Sequence, residues 1–195
     1  MASKAILFLY EGETEGEFYP LVFKSKLERC AMKFSKQCLE GNFNINSKVA
    51  NEIYNFINKN KNTDLHVFVA LDRDKPKLEP PPIDTENIIK TVGSKHLKTI
   101  ELIVATQDFE SWLFIEIDNI YKHLRAPKSK RVPHKYKNYE GLNHLDMSKL
   151  FKTFGHQYQK GKRVEGLLKN LNIDNIYDTC TDLQNGIKAI AKLYR

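Results

Sequence analysis

Cysteine is scarce in this chain, which has only Cys30, Cys38 and Cys180 among its 195 residues. The number is odd and no pair has C-x-x-C spacing, so neither a disulfide framework nor a zinc motif is indicated. Thiols that stay reduced are typical of the cytoplasm, where we expect the protein to reside.

Long hydrophobic runs are absent as well. No apolar segment approaches the ~20 residues that a helix needs to span a bilayer. The segment Met1-Ala2-Ser3-Lys4 leads straight into an apolar strand, without the pattern of a secretory signal. We therefore expect no membrane association. A hydrophobic content of 41% and a charged content of 28% are ordinary for a globular protein.

Acidic residues are missing from one stretch, between Asp118 and Glu140, in a chain whose formal net charge is +7. Tyr121, Tyr136 and Tyr139 lie in or beside a run of basic residues there. These basic residues are Lys122, Arg125, Lys128, Lys130, Arg131, Lys135 and Lys137. Such a segment can bind nucleic acid, because basic groups neutralise phosphates and tyrosines stack on unpaired bases. It can equally be a solvated loop whose tyrosines pack on the body of the protein.

Acidic residues are concentrated in three other places, each after an apolar run that predicts a strand. They are Glu11-Gly12-Glu13-Thr14-Glu15 after Ala5–Tyr10, Asp72-Arg73-Asp74 after Leu65–Leu71, and Asp108-Phe109-Glu110 after Ile100–Ala105. In a parallel sheet the carboxyl ends of the strands gather at one crevice, where ligands bind. Carboxylate oxygens are the ligands that Mg²⁺ or Mn²⁺ prefers. The pattern therefore predicts an acidic metal site at this edge of the sheet.

Strand-type and helix-type patterns alternate along the chain, which predicts an α/β fold with a mainly parallel sheet of about four strands flanked by helices. We expect a weaker strand, the second along the chain, over Cys38–Ile45. Helices are expected over Thr14–Phe34 and Asp84–Val92, and a proline-rich loop over Lys75–Pro82. Residues 1–125 would form the core of a single compact domain. Residues 126–195 would add a basic loop and a C-terminal helical extension packed on that core.

Further helices are predicted from apolar residues at helical spacing. One long helix is expected to carry Phe109 to Leu124 on one face. Pro20 is expected near the first turn of the first helix or at a bend in it. Thr181 with Gln184 three residues later is typical of a capping box at the start of the last helix.

The chain resembles the TOPRIM family. An apolar strand ending in Glu-Gly (Glu11-Gly12) and a later strand ending in Asp-x-Asp (Asp72, Asp74) are the two marks of that domain. The segments Phe109-Glu110-Ser111-Trp112-Leu113 and Tyr158-Gln159-Lys160-Gly161 are similar to those of its RloB branch of bacterial defence proteins. The first motif is one residue shorter than in that branch and closer to OLD-type spacing. Gln107-Asp108 stands where the branch usually has Asn-Pro.

The resemblance implies a Rossmann-like TOPRIM core and a Mg²⁺- or Mn²⁺-dependent nuclease that acts as an effector of anti-phage defence by abortive infection. It suggests an ATPase partner protein and leaves self-association into a homo-oligomer open. RNA, including tRNA, is favoured slightly over DNA, because the basic segment mixes tyrosine with charge and the chain is too small for a separate DNA-clamping module.

The roles of the acidic residues follow from the same resemblance. Asp72 and Asp74 would bind the metal, and Glu11 would be a metal ligand or a general acid/base. Glu15 and Glu110 would either bind a second metal ion or belong to the outer shell of residues around the first one. Alternatively, both are ordinary helix N-terminal acids that complement the helix dipole.

The segment around Tyr158 is expected to contribute positive charge. Lys160 would stabilise charge on the transferring phosphate, and Tyr158 would either orient Lys160 or stack on a base. Lys162 and Arg163 would extend the nucleic-acid surface. Alternatively, Lys160, Lys162 and Arg163 are ordinary charged surface residues without a functional role.

Other functions are compatible with parts of the pattern. An acidic site that holds metal without cutting would make the protein a nucleic-acid-binding or sensor subunit of a defence complex. A primase or topoisomerase is disfavoured, because no zinc module and no nucleophilic-tyrosine domain can be recognised. A receiver domain also clusters aspartates, but the positions of its phosphoacceptor and lysine do not match here.

Overall fold

The computed structural model describes residues 3–27, 33–73, 83–105 and 107–193. In these ranges four strands form one sheet: β1 (Ser3–Tyr10), β2 (Lys33–Cys38), β3 (Thr63–Asp72) and β4 (Leu97–Ala105). Every neighbouring pair is parallel, and the strand order is β2-β1-β3-β4. The predicted α/β class with a parallel sheet of four strands is thereby confirmed.

Helices connect the strands and follow the last of them. They are α1 (Glu13–Lys26), α2 (Ile45–Lys59), α3 (Thr85–Val92), α4 (Glu110–Leu113), α5 (Ile117–His123), α6 (His144–Thr153), α7 (Glu165–Leu168), α8 (Ile173–Thr179) and α9 (Thr181–Leu193). Short 3₁₀ turns lie at Phe114–Glu116, Lys128–Lys130, Pro133–Tyr136, Tyr139–Gly141 and Gly161–Val164. In the described ranges, no helix combines the length and the apolar character that crossing a bilayer requires.

The central strands β1 and β3 are buried on both faces, and successive residues of β1 point into different apolar cores. Ile6 and Phe8 belong to the core shared with α1 and the C-terminal helices, whereas Leu7 and Leu9 belong to the core shared with α2 and α3. Strands buried in this way carry continuous apolar runs instead of an alternating pattern. This is why β1 and β3 could be predicted closely from the sequence.

The C-terminal helices pack directly on the sheet. Leu183, Ile187 and Ile190 of α9 lie in the same core as Phe68 of β3 and Ile103 of β4. The predicted helical extension is therefore in contact with the strands that carry the acidic residues.

The second strand and the end of the first helix were predicted wrongly. α1 ends at Lys26. Phe34, which was assigned to that helix, belongs to β2 and pairs with Ile6 of β1. The predicted strand Cys38–Ile45 is instead the end of β2, a loop and the first residue of α2. β2 is an edge strand with half-exposed and exposed residues, so it lacks the apolar run by which the buried strands are recognised.

Smaller predictions also differ from the structure. The long helix after Phe109 is divided into α4, a 3₁₀ turn and α5, and Pro20 lies in the middle of α1. The capping box does not form, since Thr181 is already helical and the Gln184 side chain donates to the carbonyl of Asp178 at 2.8 Å. The loop predicted over Lys75–Pro82 lies outside the described residues.

The packing of α9 on β4 generates a test of stability. A Cβ atom added at Gly186 would lie 2.3 Å from Cγ1 of the buried Ile103. We expect Gly186→Ala to lower the free energy of unfolding by about 1–3 kcal/mol, because the overpacked helix must shift away from the sheet. The measurement is urea unfolding followed by circular dichroism.

Gly166 provides the matched control, since a Cβ there meets nothing within 4 Å. Gly166→Ala should leave the free energy of unfolding unchanged or raise it by up to about 1 kcal/mol through helix propensity. Equal stabilities of the two variants would contradict the tight helix–sheet contact.

Candidate active site

The strand order reverses between β1 and β3, with β2 on one side of this pair and β4 on the other. At such a switch point the connections leave toward opposite faces of the sheet, and a crevice opens at the carboxyl ends of the strands. Glu11 directly follows β1, and Asp72 is the last residue of β3. The backbone N–H of Asp72 donates to Oε2 of Glu11 at 3.0 Å. The first two acidic stretches therefore meet.

A cavity of about 340 Å³ opens at this point. Its walls are formed by Glu11, Gly12, Glu13, Thr14, Glu15, Gly41, Asp72, Glu110, Lys160 and Gly161. The predicted catalytic and metal-binding residues that the structure describes thus share one cavity. Asp74, the remaining one, lies outside the described residues.

Burial dominates the electrostatics of the acidic side chains. Desolvation raises the pKa of Glu15 to about 7, and the nearby carboxylates of Glu110 and Glu11 push it in the same direction. Desolvation also raises the pKa of Asp72 well above its usual range, with further contributions from Glu15 and Glu11. Carboxylates of this kind hold protons near neutral pH unless a positive charge joins them.

Glu110 is 1% exposed and binds two residues of the distant segment around position 160. The hydroxyl of Tyr158 donates to Oε1 of Glu110 at 2.9 Å, and Nζ of Lys160 lies 3.4 Å from Oε2. Burial acts to lower the pKa of Lys160, but the carboxylates of Glu110, Asp108 and Asp72 outweigh it and raise the pKa. Lys160 is therefore held at the cavity as a cation.

Burial raises the pKa of the Glu110 carboxyl, and the positive charge of Lys160 opposes this increase. It also raises the pKa of the Tyr158 hydroxyl, which remains a hydrogen-bond donor. The ring of Tyr158 packs edge-on against Phe151, with 5.2 Å between the centroids. Tyr158 and Lys160 bind different oxygens of the same Glu110 carboxylate, so an orienting effect of Tyr158 on Lys160 would act through Glu110. The two alternatives for Tyr158, orienting Lys160 and stacking on a base, stay predictions.

A second contact fixes the same segment to the start of α1. The buried backbone N–H of Gly161 donates to Oγ1 of Thr14 at 2.9 Å. Gly161 has a φ of +74°, and a Cβ at this position would lie 2.6 Å from Oε2 of Glu13. Only glycine combines this conformation with so close an approach. Glu13, which belongs to the first acidic stretch, is exposed and also lines the cavity.

The loop between β2 and α2 closes another side of the cavity. The N–H of Gly41 donates to the carbonyl oxygen of Glu11 at 2.8 Å. Nζ of Lys48 donates to three carbonyl oxygens of this loop, those of Leu39, Glu40 and Gly41, at 2.7, 3.0 and 3.1 Å. One ammonium group thus holds the backbone of the loop in place.

Asp108 belongs to the third acidic stretch but does not line the cavity. Its side chain is buried, and Oδ2 accepts a hydrogen bond from the backbone N–H of His144 at 2.7 Å. The same oxygen lies 2.7 Å from Nδ1 of His144. Its Oδ1 is buried without a hydrogen-bond partner. Asp108 therefore fixes the start of α6 close to the acidic cluster.

The chemistry of the cavity suits a divalent cation, because its oxygen ligands are buried and repel one another. In the ranges that the structure describes, however, no group of three Asp, Glu, His or Cys side chains is arranged to hold a metal ion. Both oxygens of Glu110 already have partners. Metal binding by Glu11, Glu15 and Asp72 would therefore require their side chains to reorient.

The seven basic residues predicted for nucleic-acid binding, Lys122 to Lys137, do not line the cavity. Six of the seven are exposed, and Arg131 is half-buried and donates from Nε and Nη2 to the carbonyl of Ala126. Tyr121 and Tyr136 lie in the core. The alternative reading of the tyrosines, as residues that pack on the body of the protein, is therefore correct for these two. Lys162 and Arg163, next to the cavity residue Gly161, are both exposed.

Some residues at the cavity were given no role in the sequence analysis, although Thr14 and Gly161 stand within its motifs. Thr14 and Gly161 are joined across 147 positions, which no local pattern indicates. Lys48 looks like an ordinary helix lysine until the loop before it is seen. The start of α6 did have a signal: Asn143 and Asp146 form a capping box there.

Comparison with known proteins gives one match. A family model described as a domain of unknown function, DUF4276, matches residues 10–190. No curated protein and no solved structure matches the chain. The matched range includes the strand ends and the segment around Lys160.

The raised pKa of Glu15 predicts a dependence of stability on pH. Its pKa is about 7 in the folded protein and near 4.5 without the fold. The stabilisation from protonated Glu15 is complete below about pH 4.5 and is lost as the pH rises through 7. In buffer that contains a chelator, the free energy of unfolding of the wild type should therefore fall between pH 5 and pH 8 by more than that of Glu15→Gln. The difference between the two falls should be up to about 3 kcal/mol.

Glu101→Gln, at an exposed position of β4, is the control and should keep the slope of the wild type. Urea titrations at four pH values provide the measurement. Parallel curves for the wild type and Glu15→Gln would show that Glu15 is not the titrating group.

Proposed function

The chain belongs to the DUF4276 family, and from its candidate active site we propose that it is a metal-dependent nuclease that hydrolyses phosphodiester bonds in nucleic acid. One observation carries this proposal: Glu11, Glu15, Asp72 and Glu110 surround a single cavity at the switch point of a parallel sheet, together with Lys160. Such a combination of acids and a cation is suited to phosphoryl transfer.

Glu11, Glu15 and Asp72, together with Asp74 of the Asp-x-Asp motif, would bind Mg²⁺ or Mn²⁺. When bound, the metal supplies an activated water and neutralises charge on the phosphate. Glu11 and Asp72 are the principal ligands in this proposal, because they lie at the ends of the two adjacent central strands and both line the cavity. Glu15, with its pKa of about 7, is suited to accept or donate a proton near neutral pH.

Glu110 has a different role in this proposal from the one first expected. Since its two oxygens bind Tyr158 and Lys160, we assign it to the placement of the Lys160 ammonium group and not to the metal. Lys160 is half-exposed, so it remains available to a substrate phosphate. Positive charge at this point would stabilise the transition state for cleavage.

Nucleic acid is the proposed substrate class because the chain has a net charge of +7 and exposed lysines. The resemblance to TOPRIM proteins of the RloB branch supports a role as an effector in anti-phage defence, with an ATPase partner. Within nucleic acids, we favour RNA, including tRNA, over DNA.

Cleavage with and without metal tests this proposal. Purified protein should cut total tRNA, single-stranded DNA or duplex DNA only with Mg²⁺ or Mn²⁺. Asp72→Asn and Glu11→Gln should each lower the rate by at least about 100-fold, because they remove a metal ligand or a proton-transfer group. Asp118→Asn, at an exposed position of α5, should retain the wild-type rate.

Metal binding is measured in parallel as the rise in melting temperature on adding Mg²⁺, which ligand binding to the folded state produces. A rise in the wild type but not in Asp72→Asn, without cleavage of any substrate, would favour a non-catalytic nucleic-acid-binding or sensor subunit. Full activity of folded Asp72→Asn protein would refute the proposal.

Lys160 gives an independent prediction. Lys160→Met should lower kcat by about 10²–10³-fold, because the positive charge at the transferring phosphate is lost. Lys162→Met, two residues along the same segment and exposed, should change kcat less than about twofold. Single-turnover cleavage at saturating enzyme separates kcat from binding. Similar losses in both variants would assign these lysines to general electrostatic attraction.

A further inference from the structure

Phe43 is the most exposed of the large hydrophobic residues in the described ranges, at 79%. A single exposed apolar residue is common and needs no special role by itself. Phe43 differs from the others because of the loop that presents it and because of what that loop borders.

The loop is held in a conformation that unconstrained residues rarely adopt. Glu40, Gly41 and Asn44 have φ values of +54°, +88° and +54°. Glycine and asparagine tolerate this region, but for Glu40 it costs about 1 kcal/mol or more, and such a position persists where the surrounding structure imposes it. Lys48 is the visible constraint, through its hydrogen bonds to three carbonyl groups of the loop.

Phe43 is at the tip of a tight turn inside this loop. The N–H of Ile45 donates to the carbonyl of Asn42 at 3.1 Å, and Ile45 itself is buried at the start of α2. The turn is therefore anchored on both sides, while the ring of Phe43 points away from the core. The backbone that carries the ring is held by these hydrogen bonds.

The same loop forms one wall of the acidic cavity. Gly41 lines the cavity and is bonded to Glu11. Phe43 follows two residues later, a separation of at most about 7 Å along the chain. The side chain adds its own length to this separation, so at about 3.4 Å per nucleotide of a stacked strand the ring is within a few nucleotides of a phosphodiester bound in the cavity.

We propose that Phe43 stacks on an unpaired base a few nucleotides from the phosphodiester group in the cavity, so that the protein takes single-stranded nucleic acid in preference to a duplex. This inference rests on the proposed function and specifies its substrate. A rigidly presented aromatic ring is suited to a base face, because stacking requires no hydrogen-bond code and little reordering of the protein. In a duplex the faces of the bases are covered by their neighbours, so that a ring beside the backbone finds no partner.

Binding is tested in the full chain with the Asp72→Asn substitution, which suppresses turnover. The probes are a 12-nucleotide single-stranded RNA labelled with fluorescein and the same strand in a duplex, compared by anisotropy. Phe43→Ala should weaken binding of the single strand by about 10- to 100-fold and leave duplex binding within about twofold. Phe43→Trp should bind the single strand as tightly as the parent protein.

Two further variants separate stacking from simple apolar contact and from unspecific effects. Phe43→Leu keeps an apolar side chain without a π face and should behave like Phe43→Ala. Tyr54, 56% exposed on α2, is the matched control. It lies about 14 Å along the helix from the start of α2, so Tyr54→Ala should bind like the parent protein. Quenching of 2-aminopurine placed in the strand reports stacking directly and should disappear in Phe43→Ala.

Unchanged single-strand binding by Phe43→Ala would overturn the inference, as would equal losses for single strand and duplex or full binding by Phe43→Leu. If the wild type still cleaved nucleic acid in a metal-dependent way, only the inference about Phe43 would fail. If the wild type neither cleaved nor bound any nucleic acid, the proposed function would fail together with it.

Discussion

The mutual repulsion of the buried carboxylates at the carboxyl end of the sheet is the constraint on which the surrounding structure depends. Glu15 and Asp72 have raised pKa values because they are removed from water and face one another and Glu11. Repulsion between such groups favours their separation or their protonation. Backbone contacts oppose the separation, above all the hydrogen bond from the N–H of Asp72 to Glu11. Positive charge therefore stabilises the cluster, and a metal ion or bound protons can supply it.

The protein provides one positive charge itself, and it does so from the far end of the sequence. Lys160 reaches the cavity because Glu110 binds it and Tyr158, and because Gly161 is bonded to Thr14. The C-terminal helices pack on the same face of the sheet, which brings this segment to the cavity. The extension is thus a part of the site and not only a cover for the core.

Prediction from sequence succeeded where burial leaves a strong local pattern. β1 and β3 carry continuous apolar runs because both of their faces are covered, and Glu11 and Asp72 mark their ends. It failed for β2, whose residues are partly exposed and whose role as an edge strand is decided by pairing with β1. The basic segment shows the same limit, since composition could not tell whether Tyr121 and Tyr136 face solvent or the core.

The sequence by itself determined the class of the fold and the clustering of acids at one edge of the sheet. Both follow from short-range patterns, because parallel strands present their carboxyl ends together. Only the tertiary structure decided that Glu110 binds Lys160, that Lys48 holds the loop of Gly41, and that Phe43 of the same loop is exposed. Those contacts depend on where distant segments or loop carbonyls come to lie after packing, and no periodicity in the chain encodes such distances.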